Sequence, residues 1–136
     1  MFIVNAGIGP RATEILEFLP RHLTVTEGAT VAWISNGFHS VVVPEERTDF
    51  PYYLPMEIPD SLPIVAVNPE VYEATDGFTD TGFFNSGIIG PGLRGYGTRR
   101  NGVAATLTFN ESGKCRYICP IHRKLGMVGA VTVVPR

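Results

Sequence analysis

Short stretches of alternating apolar and polar residues, separated by glycine, proline or asparagine, fill both ends of this 136-residue chain. Such alternation is typical of strands that have one buried face. The strands that we predict lie within 1–12, 14–20, 22–25, 30–36, 38–44, 103–109, 114–119 and 127–134. The first 44 residues predict no helix. Short strands at this regular spacing indicate an all-β fold, either a sandwich or a barrel.

Length and charge narrow the class of protein further. A chain of 136 residues is long enough for one domain with a sizeable core, so we expect a single domain over residues 1–136. The net charge is −2 and there is no basic stripe, which disfavours a nucleic-acid binder. No apolar run reaches the ~18 residues that a membrane span requires. The opening segment lacks the basic start of a signal peptide, so we expect any leader or anchor to lie outside this sequence.

The segment from 45 to 102 departs from the alternating pattern. It contains six prolines and is rich in glycine from position 82 onward, and residues 45–80 carry nine acidic side chains against Arg47. Its many aromatic residues argue against disorder, because such rings need burial. We therefore expect an ordered Pro/Gly-rich insertion over 45–102, packed near one end of the domain. A short helix is predicted within 68–75, with Asn68 as its N-cap.

The segment CRYICPIHRKLGM, residues 115–127, concentrates sulfur and imidazole donors just before the last predicted strand. Cys119 and His122 are separated by two residues, and Met127 follows five positions after His122. A loop that leaves a strand can bring these side chains to one point. His39 lies at the start of another predicted strand. Two imidazoles, a thiolate and a weak thioether are the donor set of a type 1 copper site.

Other interpretations of these residues are open at this stage. Cys-x2-His also suits zinc, although zinc prefers four strong donors and only Cys115 stands near enough to replace the methionine. Alternation places Cys115 on the same inward face as Tyr117 and Cys119. Four residues of strand span about 13 Å, which is too far for a disulfide, so we expect Cys115 to be a buried free thiol. His22 has no nearby donors, and we predict that it is exposed and inert.

Three stretches together resemble the cupredoxins, the small blue copper proteins, and in particular their plastocyanin-like branch. GKCRYICPIHRKLGMVGAVTVV (113–134) is similar to the C-terminal end of that family, and TVTEGATVAWISNGFHSVVV (24–43) is similar to the stretch that carries its first histidine. FFNSGIIGPG (83–92) is similar to its Ser-Gly segment. The resemblance implies a Greek-key β-sandwich of about eight strands.

The resemblance also implies the roles of individual residues. His39 and His122 would bind one copper per chain through imidazole nitrogens, Cys119 through a short thiolate bond, and Met127 through a long axial contact. Ser40, whose side chain would tie the two ligand loops together, and Pro120 would support the ligands. His122 would be the exposed ligand and the port for electrons. The residues expected around that port are Phe38, Leu125, Arg123 and Lys124.

The function implied is that of a carrier of single electrons between redox proteins, by cycling between Cu(II) and Cu(I). A copper carrier or storage protein, and an electron-transfer domain of a larger redox enzyme, are the alternatives. Three histidines are too few for a trinuclear copper centre, so we expect no catalysis by this chain alone. We expect a monomer in the periplasm or on the outer face of a membrane. Residues 45–80 carry a net charge of −8, nine acids less Arg47. If they lie beside the port, they would steer a basic partner such as a cationic cytochrome, which is the outcome we expect. If they lie at the far end, Arg123 and Lys124 would instead select an acidic partner.

Overall fold

The computed structural model describes residues 1–9, 13–45, 50–62, 64–91 and 104–136. Within these ranges the chain forms strands and two short 3-10 helices, Pro69–Tyr72 and Arg123–Leu125. The strands are β1 (Phe2–Ile8), β2 (Ile15–Leu19), β3 (His22–Thr26), β4 (Ala29–Ser35), β5 (His39–Val43), β6 (Tyr53–Met56), β7 (Ile64–Val67), β8 (Phe84–Ile89), β9 (Ala104–Phe109), β10 (Gly113–Ile118) and β11 (Val128–Val134). Among the described residues, no helix is long and apolar enough to cross a membrane.

Nine of the described strands form two sheets. One sheet has the order β2-β1-β4-β9, and the other has the order β3-β11-β10-β5-β8. β1 pairs with β4, and β3 with β11, in parallel, while the remaining pairs in the two sheets are antiparallel. β6 and β7 form a separate antiparallel hairpin. The prediction of an all-β sandwich is confirmed, with three strands, β6 to β8, in the segment that the sequence presented as an insertion.

The main core lies between the two sheets and is built around aromatic rings. The Trp33 ring lies 5.2 Å from the Tyr117 ring and 6.3 Å from the Phe84 ring, measured between centroids. Phe18 from the facing sheet makes an edge contact with Tyr117 at 4.8 Å. These rings are fully or almost fully buried. Each such pair stabilises the fold by about 0.5–1.5 kcal/mol, in addition to the contribution of the apolar area that it buries. Tyr117 is thereby fixed two residues before Cys119.

A second apolar cluster lies on the outer face of the five-stranded sheet. Val41 and Val43 point into the main core, so Val42 between them points outward. Phe50 and Val71, from the predicted insertion, are buried there with Val42. The described part of the insertion therefore covers a sheet face, whereas the sequence predicted a position near one end of the domain.

Side-chain hydrogen bonds of asparagine residues fix this covering segment. Asn85 in β8 donates from Nδ2 to the carbonyl oxygens of Glu70 at 2.8 Å and Glu73 at 3.0 Å. The Asn68 side chain accepts a hydrogen bond from the Glu70 N–H at 3.1 Å. The predicted N-cap is thus confirmed, on the 3-10 helix Pro69–Tyr72, which is shorter than the predicted helix within 68–75.

Two further expectations concern single residues. His22 is exposed, as predicted. Cys115 is a free thiol, as predicted, but it is only half-buried, because it packs at the margin of the main core near the start of β10. Parts of the predicted insertion and of the strand predicted at 103–109 lie outside the described residues. These parts are 46–49 (which include Arg47), 63 and 92–103.

Candidate metal centre

Strand pairing brings the predicted donor residues to one end of the five-stranded sheet. His39 is the first residue of β5, and Cys119 directly follows β10, which pairs with β5 through Ile118 and Val42. His122 precedes the 3-10 helix Arg123–Leu125, and Met127 directly precedes β11. The loop from 119 to 127 therefore joins two neighbouring strands and lies beside the start of β5.

Three donor atoms converge at this point. The Nδ1 atoms of His39 and His122 are 3.2 Å apart. The Cys119 Sγ atom is 3.8 Å from Nδ1 of His39 and 3.7 Å from Nδ1 of His122. Two nitrogens bound to one ion at about 2.0 Å lie at most about 4.0 Å apart, and a nitrogen and a sulfur at most about 4.3 Å apart. All three distances meet these limits, so one metal ion fits between the three side chains.

Backbone hydrogen bonds shape the loop that carries three of the predicted ligands. The Cys119 N–H donates to the Met127 carbonyl at 3.0 Å, and the His122 N–H donates to the Cys119 carbonyl at 3.1 Å. Gly126 adopts a left-handed conformation with φ of 88°, which glycine tolerates without strain. The guanidinium of Arg21 donates to the Gly126 carbonyl at 2.9 Å. Met127 is fully buried at the base of this closed loop.

Burial controls the protonation of the donor groups. It raises the pKa of the Cys119 thiol, and backbone hydrogen bonds to the sulfur, the one from Ser40 foremost, oppose that effect. Burial also lowers the pKa of His122, and the neighbouring His39 lowers it further. The metal-free pocket therefore favours a neutral thiol and a neutral imidazole. A metal ion that binds the thiolate has to displace the thiol proton, as cysteine ligands generally require.

The residues predicted around the ligands are only partly as expected. Ser40 and Pro120 are buried. The Ser40 hydroxyl has no hydrogen-bond partner among the described residues, so the predicted side-chain tie between the ligand loops is wrong. The Ser40 backbone forms a hydrogen bond that lowers the pKa of Cys119 and so opposes the effect of burial.

The side chains predicted around the electron port lie at the surface. His122 itself is half-buried, Phe38 is 36% exposed and Leu125 is 69% exposed. Arg123 and Lys124 are also exposed. One edge of the donor cluster is therefore open to solvent beside a surface that combines apolar and basic groups.

Glu14 is a neighbour of the centre that the sequence did not reveal. Its Oε1 atom lies 2.6 Å from Nε2 of His39, on the opposite side of the imidazole from the donor cluster. His39 is fully buried, and the Glu14 side chain is 26% exposed. The two residues are 25 positions apart, so no local spacing signals their contact.

Comparisons with known proteins address the fold. No family model matches the chain, and no curated protein matches it. Amicyanin from Paracoccus versutus (Thiobacillus versutus) has a similar solved structure, with 18% identity, a TM-score of 0.53, and coverage of 98% of this chain and 80% of that chain. A reduced Cu(I) form of an amicyanin variant at pH 4 matches with 18% identity, a TM-score of 0.55, and coverage of 98% of this chain and 81% of that chain. These likenesses show that the chain has the cupredoxin fold.

Proposed function

We propose that this chain is a type 1 copper protein that carries single electrons between redox partners. The observation that carries the proposal is the convergence of one thiol and two imidazole nitrogens within 3.2–3.8 Å of one another. His39, Cys119 and His122 would hold one copper ion, with Met127 as the weak fourth ligand. A trigonal set of two histidines and one cysteine, with a long axial contact to methionine, is the arrangement of blue-copper electron-transfer sites.

The bound copper would supply a one-electron couple, and the protein supports it by holding the donors still. His39 is fixed in a buried strand, and the loop from 119 to 127 is closed by its own backbone hydrogen bonds. Cys119 is fully buried, which excludes water from the sulfur. Donors that do not move between the two oxidation states keep the reorganisation energy of the metal site small. Fast electron transfer requires a small reorganisation energy.

The surface around His122 is the proposed docking site for redox proteins. Phe38 and Leu125 offer an apolar contact, and the interface of such a transient complex is small, below about 1,200 Å². Arg21, Arg123 and Lys124 lie on or beside the loop that carries His122. We therefore expect an acidic partner, in contrast to the basic partner that the charge of residues 45–80 suggested.

The test of this expected partner charge is the bimolecular electron-transfer rate with one acidic and one basic redox protein, at low and high salt. Faster transfer to the acidic protein, lost at high salt, supports this expectation, and a preference for the basic protein refutes it.

The location of the protein follows the same proposal. By the resemblance to cupredoxins, we place it in the periplasm or on the outer face of a membrane. Cell fractionation of the native source, followed by detection with an antibody, tests this placement. Recovery in the cytoplasmic fraction would contradict it.

The decisive experiment for the copper centre is optical. Addition of Cu(II) to the metal-free protein should saturate at one equivalent and produce an intense visible thiolate-to-copper band. Cys119→Ser should abolish the band while circular dichroism shows a folded protein. Cys115→Ser is the matched control, because Cys115 is the other free thiol of the chain, and it should retain the band. A colourless copper-loaded wild type would refute the proposal and leave zinc as the ion that suits the three donors.

The same sample separates electron transfer from copper storage. An electron carrier should retain copper in the presence of a mild chelator and show a reversible redox wave. A storage or delivery protein should lose its copper to the chelator. Rapid loss of copper from the wild type would contradict the function of an electron carrier, but it would not contradict the proposed set of copper ligands.

A further inference from the structure

We propose that Glu14 is a positioning residue for the metal centre, and that Gly7 and Gly37 form the cradle that admits its carboxylate. The inference rests on the proposed function, since it concerns His39 as a ligand. The Glu14 carboxylate would accept a hydrogen bond from Nε2–H of His39 and thereby present Nδ1, unprotonated, to the metal. The same negative charge would favour the more positive, oxidised state of the centre.

The imidazole of His39 faces two different environments through its two nitrogens. Nε2 lies 2.6 Å from the Glu14 carboxylate, while Nδ1 lies 3.2 Å from His122 and 3.8 Å from Cys119. A carboxylate only accepts hydrogen bonds, so the nitrogen that faces it carries the proton. In a neutral imidazole the other nitrogen then keeps its lone pair, which is the form that binds a metal ion. The contact therefore selects the ligating tautomer and the ring orientation together.

The carboxylate reaches His39 beside Gly7, where the pairing of β1 with β2 is irregular. The register of β1 against β2 shifts between Ala6 and Ile8, and Gly7 in between has φ of 76°. A Cβ atom at Gly7 would overlap both Oε1 of Glu14 and Nε2 of His39. The shift sets Gly7 opposite two residues of β2, Leu16 and Glu17, so the bulge lies on β2, and Gly7, which has no side chain, leaves the space that the acid occupies.

The turn between β4 and β5 closes the cradle from the other side. A Cβ atom at Gly37 would overlap both carboxylate oxygens of Glu14. Ser35 holds this turn in place, because its hydroxyl donates to the Gly37 carbonyl at 3.0 Å. The Asn36 side chain donates to the Gly9 carbonyl at 3.2 Å, which ties the turn to the end of β1. Two separate segments of backbone thus leave room for one acidic side chain against one buried imidazole.

Three variants separate charge from positioning. Glu14→Gln keeps an oxygen that accepts from Nε2–H but removes the charge. It should shift the Cu(II)/Cu(I) equilibrium toward Cu(I) about tenfold, equivalent to about 59 mV in a one-electron couple. Glu14→Ala removes the acceptor as well and should weaken Cu(II) binding about 10–100-fold. Glu17→Gln is the matched control, because it removes an exposed charge from β2, and it should change neither quantity by more than about twofold.

The tautomer of His39 is measurable without copper. Long-range ¹⁵N–¹H correlation spectra of the metal-free protein should show a protonated Nε2 in the wild type and in Glu14→Gln. Glu14→Ala should show a mixture of the two tautomers. Gly37→Ala should behave like Glu14→Ala, because the added methyl group displaces the carboxylate. Gly77→Ala is its control, since a Cβ atom at Gly77 meets nothing within 4 Å.

The outcomes distinguish this inference from the proposed function. A wild type that forms the visible band, together with Glu14 variants that match Glu17→Gln in potential, copper affinity and tautomer, overturns the role of Glu14 alone. A wild type without the band overturns the copper assignment, and the metal-free spectra still report whether Glu14 fixes the His39 ring. A reduction potential raised in Glu14→Gln, with the wild-type tautomer retained, supports the inference.

Discussion

Met127 combines packing with a proposed role as a ligand, and two substitutions separate these contributions. The side chain is fully buried in the main core, and its loop is held by the hydrogen bond from Cys119 to the Met127 carbonyl. Because this held backbone limits collapse around a cavity, Met127→Ala should lower the free energy of unfolding by about 3–5 kcal/mol. Met127→Leu conserves volume and should lower it by less than about 1.5 kcal/mol.

Met127→Leu should also change the copper centre, in a property that packing alone does not move. Loss of a weak donor to the oxidised metal stabilises Cu(I) relative to Cu(II), so the reduction potential should rise. We expect a change of about tenfold in the equilibrium, or about 59 mV. Urea unfolding of the metal-free variants measures the packing contribution, and a redox titration of the copper-loaded protein measures the ligand contribution. An unchanged potential in Met127→Leu would show that the sulfur only fills the core.

Three further perturbations follow from burial. Gly129→Ala should lower the free energy of unfolding in urea by about 1–3 kcal/mol, because the added Cβ atom would lie 2.5 Å from the hydroxyl oxygen of the buried Tyr117. An unchanged free energy of unfolding would contradict this packing. Burial raises the pKa of Cys115 from 9.0 to about 11. At pH 8 the thiolate fraction of Cys115 should therefore be about a hundredfold below that of an ordinary thiol. Its alkylation rate, measured by peptide mapping, should be lower by the same factor. Added imidazole should restore the visible band in His122→Gly, whose cavity opens to solvent, but not in the sealed cavity of His39→Gly; equal rescue would refute the difference in burial.

The donor cluster was predictable because most of its information is local. Cys119 and His122 lie three positions apart within one loop, and their spacing alone brings their side chains together. His39 lies at the start of a distant strand, and it was assigned because it completes the donor set of the other residues. Pairing of β5 with β10 brings His39 beside that loop. The strands with clear alternation were likewise predicted within one or two residues, as for β4, because one buried face determines their pattern.

The strands that the sequence did not reveal lack this alternation. β8 contains Asn85 and Ser86, and its Gly87 has φ of 65°, so the segment has the composition of a turn. In the structure, the Asn85 side chain satisfies carbonyl groups of the covering segment, which explains a polar residue that is fully buried. β6 contains Pro55, which is unfavourable in a central strand and is accommodated in the isolated hairpin.

The contact between Glu14 and His39 had no signature in the sequence for a different reason. An isolated glutamate before a strand is most often a solvated surface residue. Its proximity to His39 depends on the absence of a side chain at Gly7 and at Gly37, which lie on two other segments of the chain. Only the folded backbone brings these four residues together. Gly37, which the sequence presents as an ordinary turn residue, thus also leaves space for an acidic side chain.

The two imidazoles of the proposed copper centre are consequently unequal, and the inequality gives the centre a direction. His39 is fully buried, and its far nitrogen faces the Glu14 carboxylate inside the protein. His122 is half-buried and lies beside the exposed Leu125. A redox partner can therefore approach the centre through His122, whereas the route through His39 ends at an acidic group within the fold. We infer that His39 and Glu14 set the properties of the metal, while His122 connects it to the partner.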